Sequence, residues 1–352
     1  MTDGLYNGGT LDQQGFFLYT PPLMNTRMMT RAWDRMLHAE HVLLVNDIRI
    51  DGDTLGSSLG MRHILMEYGR RVTNLSPKPI PEAYGFLPGI QSVSVDQGRL
   101  NDPSIDLVVS FDASDGAHVV DMREKIPGRP FLVSFDHHAT NPGYADLNLV
   151  DVHAPATAEV VWRFLKHNRV VPTGEAATCL LTGICTDTGI FSNPATNHAC
   201  LSAASELSLH GARVQDVVRH LFANKSVDTL TLWGRALERL REHPDYGFVS
   251  TYITRDDLKE TACAEDDLEG FSDFLAATIA RDTVMVFRET EGGVKASLRT
   301  VSGDVARLAS WFPNGGGHVK AAGFFVPGAQ LREVDGRCRV VSGGEHCYTP
   351  LV

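Results

Sequence analysis

Short apolar runs alternate with amphipathic stretches through the first half of the chain. His41-Val42-Leu43-Leu44-Val45, Arg71 to Leu75, Asp106-Leu107-Val108-Val109-Ser110-Phe111 and Pro130 to Phe135 have strand length and composition. Met28 to Glu40 precedes them, and Gly56 to Tyr68 and Ala117 to Lys125 lie between them, all with helical character. Runs that are apolar at nearly every position, separated by helices, predict a parallel sheet covered on both faces.

After Ala154 the pattern turns helical, over Ala156 to His167, Gly174 to Cys185 and Ala199 to His210. A long amphipathic stretch from Arg213 to Glu242 reads as a connector that ends at His243-Pro244-Asp245. A second mixed unit follows, with strands at Phe248 to Ile253, Thr283 to Arg288, Val294 to Arg299 and Ala321 to Val326. Its helices are predicted at Asp266 to Ala280 and Asp304 to Trp311. The chain is therefore read as α/β, with an N-terminal extension (1–27), a parallel-sheet domain (28–211), a helical linker (212–244), a smaller mixed α/β domain (245–330) and a C-terminal tail (331–352). Trp162, Trp233 and Trp311 fall at helical spacing and read as packing residues.

At 352 residues and 43% hydrophobic, the chain can bury two cores of ordinary size. A net charge of −11 argues against a protein that coats long duplex nucleic acid, which would present a basic face. It leaves room for a short anionic substrate, because bound cations reverse the local potential. No apolar run approaches the roughly 18 residues of a spanning helix, and Met1 to Thr10 has no apolar signal core. The six cysteines form no Cys-x-x-Cys pair and read as reduced thiols of a cytoplasmic protein; Cys338 and Cys347 are close enough in sequence to bridge, but two unrelated thiols is the simpler reading.

Four acidic clusters carry the chemistry. Asp51-Gly52-Asp53 follows the first strand, Asp112 follows Val108 to Phe111, Asp136-His137-His138 follows Leu132 to Phe135, and Asp187 follows an apolar helix. Three of them lie just past the carboxyl ends of predicted parallel strands, the edge where open α/β sheets bind ligands. Carboxylates gathered there repel one another, and two divalent cations would remove the conflict. Each Asp alone could be a helix cap. The helix opened by Gly56-Ser57-Ser58 presents N–H groups suited to a phosphate. In the second unit, Gly315-Gly316-Gly317-His318 offers backbone N–H groups and an imidazole, and Arg299 a bidentate cation, for a phosphate.

In order along the chain, Asp51-Gly52-Asp53-x-x-Gly56-Ser57, Asp112, Asp136-His137-His138, Thr186-Asp187-Thr188-Gly189-x-Phe191 and Gly315-Gly316-Gly317-His318-x-x-Ala321-Ala322-Gly323 resemble the motifs of the DHH/DHHA1 phosphoesterase family. The resemblance spans about residues 40–327 and is nearest in length to the small oligoribonuclease (nanoRNase) and 3′-phosphoadenosine 5′-phosphate phosphatase branch. It implies an active site in the cleft between a DHH and a DHHA1 domain, with two Mn2+ or, in their place, Mg2+. Asp51, Asp112 and the residue at 47 would hold one ion; Asp53, Asp112, His137 and Asp187 the other. Asp136 would orient His137, His138 would face the scissile phosphate, and Arg299, His318 and the glycines would grip a terminal phosphate. A homodimer is the assembly the resemblance suggests.

The chain departs from the pattern at one place. The family's first motif opens with a histidine four residues before its first Asp and a proline just before it; here Asp47 and Ile50 stand there. Asp47 then ligates the metal directly, or through a water, or marks a weakened first site. The implied activity is hydrolysis of very short oligonucleotides or of 3′-phosphoadenosine 5′-phosphate. The alternatives are a nucleotide-binding regulatory protein with reduced turnover and a 5′→3′ exonuclease on single strands.

Overall fold

The apolar runs of the first half become one sheet. The structure, a computed structural model, describes residues 9–11, 17–19, 25–193, 195–222, 225–268, 270–334, 337–342 and 347–348, and the chain separates into two units, 1–224 and 225–352. In the first unit a short antiparallel pair, β1 (Gly9–Leu11) and β2 (Phe17–Tyr19), precedes α1 (Thr26–His38), β3 (His41–Val45), α2 (Gly52–Glu67), β4 (Arg71–Leu75) and β5 (Val93–Ser94). Then come β6 (Leu107–Phe111), α3 (Ala117–Lys125), β7 (Phe131–Asp136), β8 (Leu147–Val150), α4 (Thr157–His167), α5 (Gly174–Asp187), α6 (His198–Leu209) and α7 (Val214–Phe222).

The strand order is β5-β4-β3-β6-β7-β8 and every neighbouring pair is parallel. Alternate residues of β3 serve opposite faces: Val42 and Leu44 pack with α1, α4 and α5, and Leu43 and Val45 with Val119 and Met122 of α3. Burial on both faces is why the strand is apolar at successive positions. From β3 the chain winds to one edge and returns to place β6 on the other side. That reversal opens a crevice at the carboxyl ends of β3 and β6.

Helix α2 begins at Gly52, four residues before the expected start, because the Asp51 side chain caps it by accepting from the amides of Asp53 and Thr54, both at 3.0 Å. Gly56-Ser57-Ser58 therefore lies inside the helix and is buried, and its amides do not form a phosphate-binding N-terminus. The small residue serves packing instead: a Cβ on Gly56 would stand 2.4 Å from the carbonyl oxygen of Cys179 on α5.

The second unit holds α8 (Val227–Glu238), β9 (Arg241–His243), β10 (Phe248–Ile253), α9 (Arg255–Glu260), α10 (Phe271–Thr278), β11 (Thr283–Thr290), β12 (Gly293–Thr300), α11 (Val305–Ala309), β13 (Gly316–Gly317) and β14 (Ala321–Pro327). Its sheet runs β13-β14-β12-β11-β10-β9, mixed, with β10 and β11 parallel and the other pairs antiparallel. A three-stranded antiparallel sheet follows, β15 (Gln330–Val334), β16 (Arg337–Val341) and β17 (Cys347–Tyr348).

Three expectations change here. The stretch 212–244 is two helices and a strand: Val217 of α7 is buried in the first core, whereas Leu232, Trp233 and Ala236 of α8 are buried in the second. The described residues of the predicted tail (331–352) form strands, and Cys338 and Val340 pack with Phe287 and Phe324; strands this short show almost no periodicity. Trp162 and Trp233 are buried as read, but Trp311 is 71% exposed. Cys179, Cys185 and Cys200 are buried, and burial pushes the Cys185 thiol up to about 12, so it stays neutral; the Cys347 side chain lies outside the described residues.

Candidate metal centre

The crevice at the switch point collects the acidic residues. Asp51 and Asp53 arrive on the first turn of α2, Asp112 directly after β6, Asp136 as the last residue of β7, and Asp187 as the last residue of α5. Asp112 sits at φ 63, an uncommon backbone conformation for a residue with a side chain, stabilised by its amide donating to Phe135 O at 3.0 Å. One ligand atom each from Asp53, His137 and Asp187 lies within 4.8 Å of the others, and the same holds for Asp112, His137 and His138.

Asp53 is held by α4. Ala156, the N-cap of that helix, has no capping side chain, and the amides of Thr157 and Ala158 donate to Asp53 at 2.6 and 2.9 Å. Thr157 also donates its hydroxyl to Asp112 at 2.9 Å. Asp53 and Asp112 are raised well above the usual carboxylate range, first by burial and then by each other's neighbouring charges: Asp187 acts on Asp53, and Asp53 on Asp112. Asp51 is pushed up to about 6 by burial and by Asp187, against the two amides that cap on it.

His137 is the counter-charge. Its Nδ1 lies 3.2 Å from the carbonyl oxygen of Ala154, which directs Nε2 at the carboxylates. Burial alone would lower this imidazole, but Asp187 and Asp53 outweigh it and push it up to about 9. Nε2 is 3.2 Å from Asp187 Oδ2 and 3.5 Å from Asp112 Oδ1, yet it is buried and meets no aligned hydrogen-bond acceptor among the described residues. A buried imidazole nitrogen without a hydrogen bond, facing carboxylates that repel one another, fits a divalent cation.

Known proteins bear on this centre. The model of the DHH family, N-terminal domain, matches residues 41–184. A bifunctional oligoribonuclease and PAP phosphatase NrnA from Thermus thermophilus is 30% identical over 309 residues, covering 86% of this chain and 91% of that protein. The chain belongs to the DHH family. The NrnA protein of the same description from Bacillus subtilis is 25% identical over 290 residues, 80% of this chain and 88% of its own. A crystal structure of an exopolyphosphatase-related protein from Bacteroides fragilis shares the fold, with a TM-score of 0.79 at 24% identity, covering 87% of this chain and 92% of that one.

The triplet that gives the DHH family its label divides its work differently from expectation. Asp136 Oδ1 accepts from His138 Nδ1 at 2.8 Å and from the amide of His137 at 2.7 Å, and Asn141 donates to Oδ2 at 2.7 Å. Asp136 therefore orients the ring of His138, while the ring of His137 is set by Ala154. Burial raises Asp136, but the hydrogen bonds from His138 and Asn141 outweigh it and hold the carboxyl below its usual value.

Asp47 adds to the repulsion on Asp51, but its own hydrogen bonds are made elsewhere. Its Oδ2 accepts from the Arg49 amide at 3.2 Å and from Arg49 Nε at 3.3 Å, and its Oδ1 is 4.0 Å from His118 Nε2. In the second unit, Arg299 is registered opposite Ala321, whose carbonyl accepts from the His318 amide, so the two predicted phosphate contacts share one end of that sheet. The Arg299 guanidinium already forks onto Asp273, at 2.6 and 3.3 Å. The three glycines are not equivalent. A Cβ on Gly315 would stand 1.8 Å from Ala309 O and its amide donates to Phe312 O, whereas Gly316 faces open space.

Sequence reasoning missed Thr157, Ala154, Arg49 and Asn141. The signal for Thr157 was Ala156 at a helix start, a residue that cannot cap and so implies a capping group from elsewhere. Gly183 carried another: a Cβ there would stand 2.7 Å from Asp53 Oδ1.

Proposed function

We propose that this DHH phosphoesterase hydrolyses very short oligonucleotides to mononucleotides, 3′-phosphoadenosine 5′-phosphate, or both. The observation that carries the hydrolytic reading is His137 Nε2, buried among Asp53, Asp112 and Asp187 without a hydrogen bond from any described residue. The substrate class rests on the related oligoribonuclease and PAP phosphatase of Thermus thermophilus and on the acidic charge of the chain.

In this reading Asp53, Asp112, His137 and Asp187 hold one divalent cation, and Asp51 and Asp112 face a second. When bound, paired cations supply charge neutralisation of the phosphoryl oxygens and make water a stronger nucleophile. The remaining work belongs to side chains. Asp136 fixes the tautomer of His138, so its Nε2 faces the substrate and hydrogen-bonds a phosphoryl or leaving oxygen. Thr157 keeps Asp53 and Asp112 in place. Arg299, Gly316 and His318 are proposed as contacts to a terminal phosphate.

The test is a substrate panel with Mn2+, Mg2+ and chelator. Mononucleotide released from a 5′-phosphorylated dinucleotide, or phosphate from 3′-phosphoadenosine 5′-phosphate, abolished by chelator, is the expected result. Tight binding without release would make the chain a nucleotide-binding regulator. Activity that grows with strand length would make it an exonuclease.

A further inference from the structure

Asp47 lies beside the acidic cluster, but one of its carboxylate oxygens is committed to an arginine. Asp47 is buried, its amide donates to Thr54 Oγ1 at 2.9 Å, and one carboxylate oxygen is taken twice by Arg49, through the amide and through Nε. The other oxygen faces His118, whose Nε2 lies 3.2 Å from Asn46 O and so carries the hydrogen. That hydrogen bond keeps His118 Nε2 from serving as a metal ligand itself.

Arg49 is anchored at both ends. Beyond Asp47, its Nη2 donates to Ser114 Oγ at 3.1 Å, two residues past Asp112. The guanidinium thus bridges the loops after β3 and β6, at the switch point itself. Its side chain is 60% exposed, and Nη1 has no partner among the described residues. A guanidinium fixed at the edge of a metal centre, with a free N–H edge toward solvent, is suited to a phosphoryl oxygen. A histidine at 47 could not hold it this way, since a neutral imidazole has no negative charge to pair with the cation.

We propose that Asp47 does not ligate metal but positions Arg49 as a substrate-phosphate contact in the first unit. This rests on the phosphoesterase reading for its substrate but not for its metal.

The experiment compares the full chain with Asp47→Asn, Arg49→Gln and Arg49→Lys. Mn2+ binding is read by titration calorimetry and turnover with a 5′-phosphorylated dinucleotide. Asp47→Asn should bind the same number of Mn2+ ions with Kd within about threefold, and should raise KM. Arg49→Gln should raise KM by about tenfold with kcat within about threefold and an unchanged circular dichroism spectrum, and Arg49→Lys should recover part of that loss. A Mn2+ ion lost in Asp47→Asn would overturn the proposal, as would an unchanged KM in Arg49→Gln. If the parent chain turns over no phosphoester, the functional reading fails, and the Mn2+ count of Asp47→Asn still decides the role of Asp47.

Discussion

Asp112 in the first unit and Asp257 in the second are both almost completely buried, yet their surroundings drive them in opposite directions. Asp112 is raised well above the usual range, by burial and then by Asp53, Asp51 and Asp187. Burial raises Asp257 too, but Arg239 and Thr254 outweigh it and hold the carboxyl far below that range. Asp257 also closes the capping box of α9. One carboxylate is satisfied within the fold and strengthens it. The other belongs to a group that the protein alone leaves in conflict, and a group in that condition is built to be completed by something it binds.

The largest expected effect breaks the first side of this comparison. Asp112→Ala should lower turnover by about a thousandfold or more, ~4 kcal/mol in the barrier, with an unchanged circular dichroism spectrum. Activity within tenfold of the parent would remove Asp112 from the chemistry and with it the shared metal site.

The next breaks the other side. Asp257→Ala leaves Arg239 without its carboxylate, while Arg235 keeps Glu260 at 2.7 Å, and should destabilise the second unit by about 3 kcal/mol. Denaturant unfolding followed by the fluorescence of Trp233, buried in that unit's core, measures it. Mn2+ affinity, a property of the first unit, should not move. The pH signs also oppose each other. The stability from Asp257, whose pKa is depressed, is present above the unfolded carboxylate value and is lost as pH falls below it. His137 is raised, so its contribution to the metal-free fold is complete below about 6.5 and is lost as pH rises through about 9.

Much of this was legible in the sequence because it rests on local pattern. The continuous apolar run His41 to Val45 announced a strand buried on both faces, and Asp51, Asp112 and Asp136 stood where a doubly wound sheet exposes its ligand edge. What was hidden depends on contacts between distant segments. No spacing rule connects Ala154 to the ring of His137 or Thr157 to Asp53, 104 residues away. The start of α2 was misplaced because glycine reads as a loop residue, whereas Gly56 is required by the nearness of α5. The strands β15 to β17 were missed because two- to five-residue strands carry too few positions for a period of two to show.

Proton linkage sharpens the comparison further. At pH 7 the metal-free His137 is protonated, and a cation can take Nε2 only by displacing that proton. Mn2+ affinity should therefore rise about tenfold per pH unit from pH 7 and flatten above about 9. Calorimetry in buffers of different ionisation enthalpy would register one proton released per ion from this source. Affinity independent of pH across that range would mean that His137 is not a ligand.

The smallest effect is the most diagnostic, because it should change sign. Asp51 both caps α2 and takes part in the repulsion, and Asn caps a helix as well as Asp does. Asp51→Asn thus removes the charge and keeps the cap. Its folded pKa, about 6, exceeds the unfolded value, so the parent binds extra protons when folded and loses stability as pH rises through about 4 to 6. Above that window the metal-free variant should be more stable than the parent by about 1 kcal/mol, and near pH 4 the difference should vanish. Saturating Mn2+ should reverse the order, since the cation stabilises the parent through the oxygen the cap leaves over and gains less from an amide. A variant less stable than the parent without metal at pH 7.5 would show that the cluster is already satisfied by the protein, and Asp51 would then stand with Asp257.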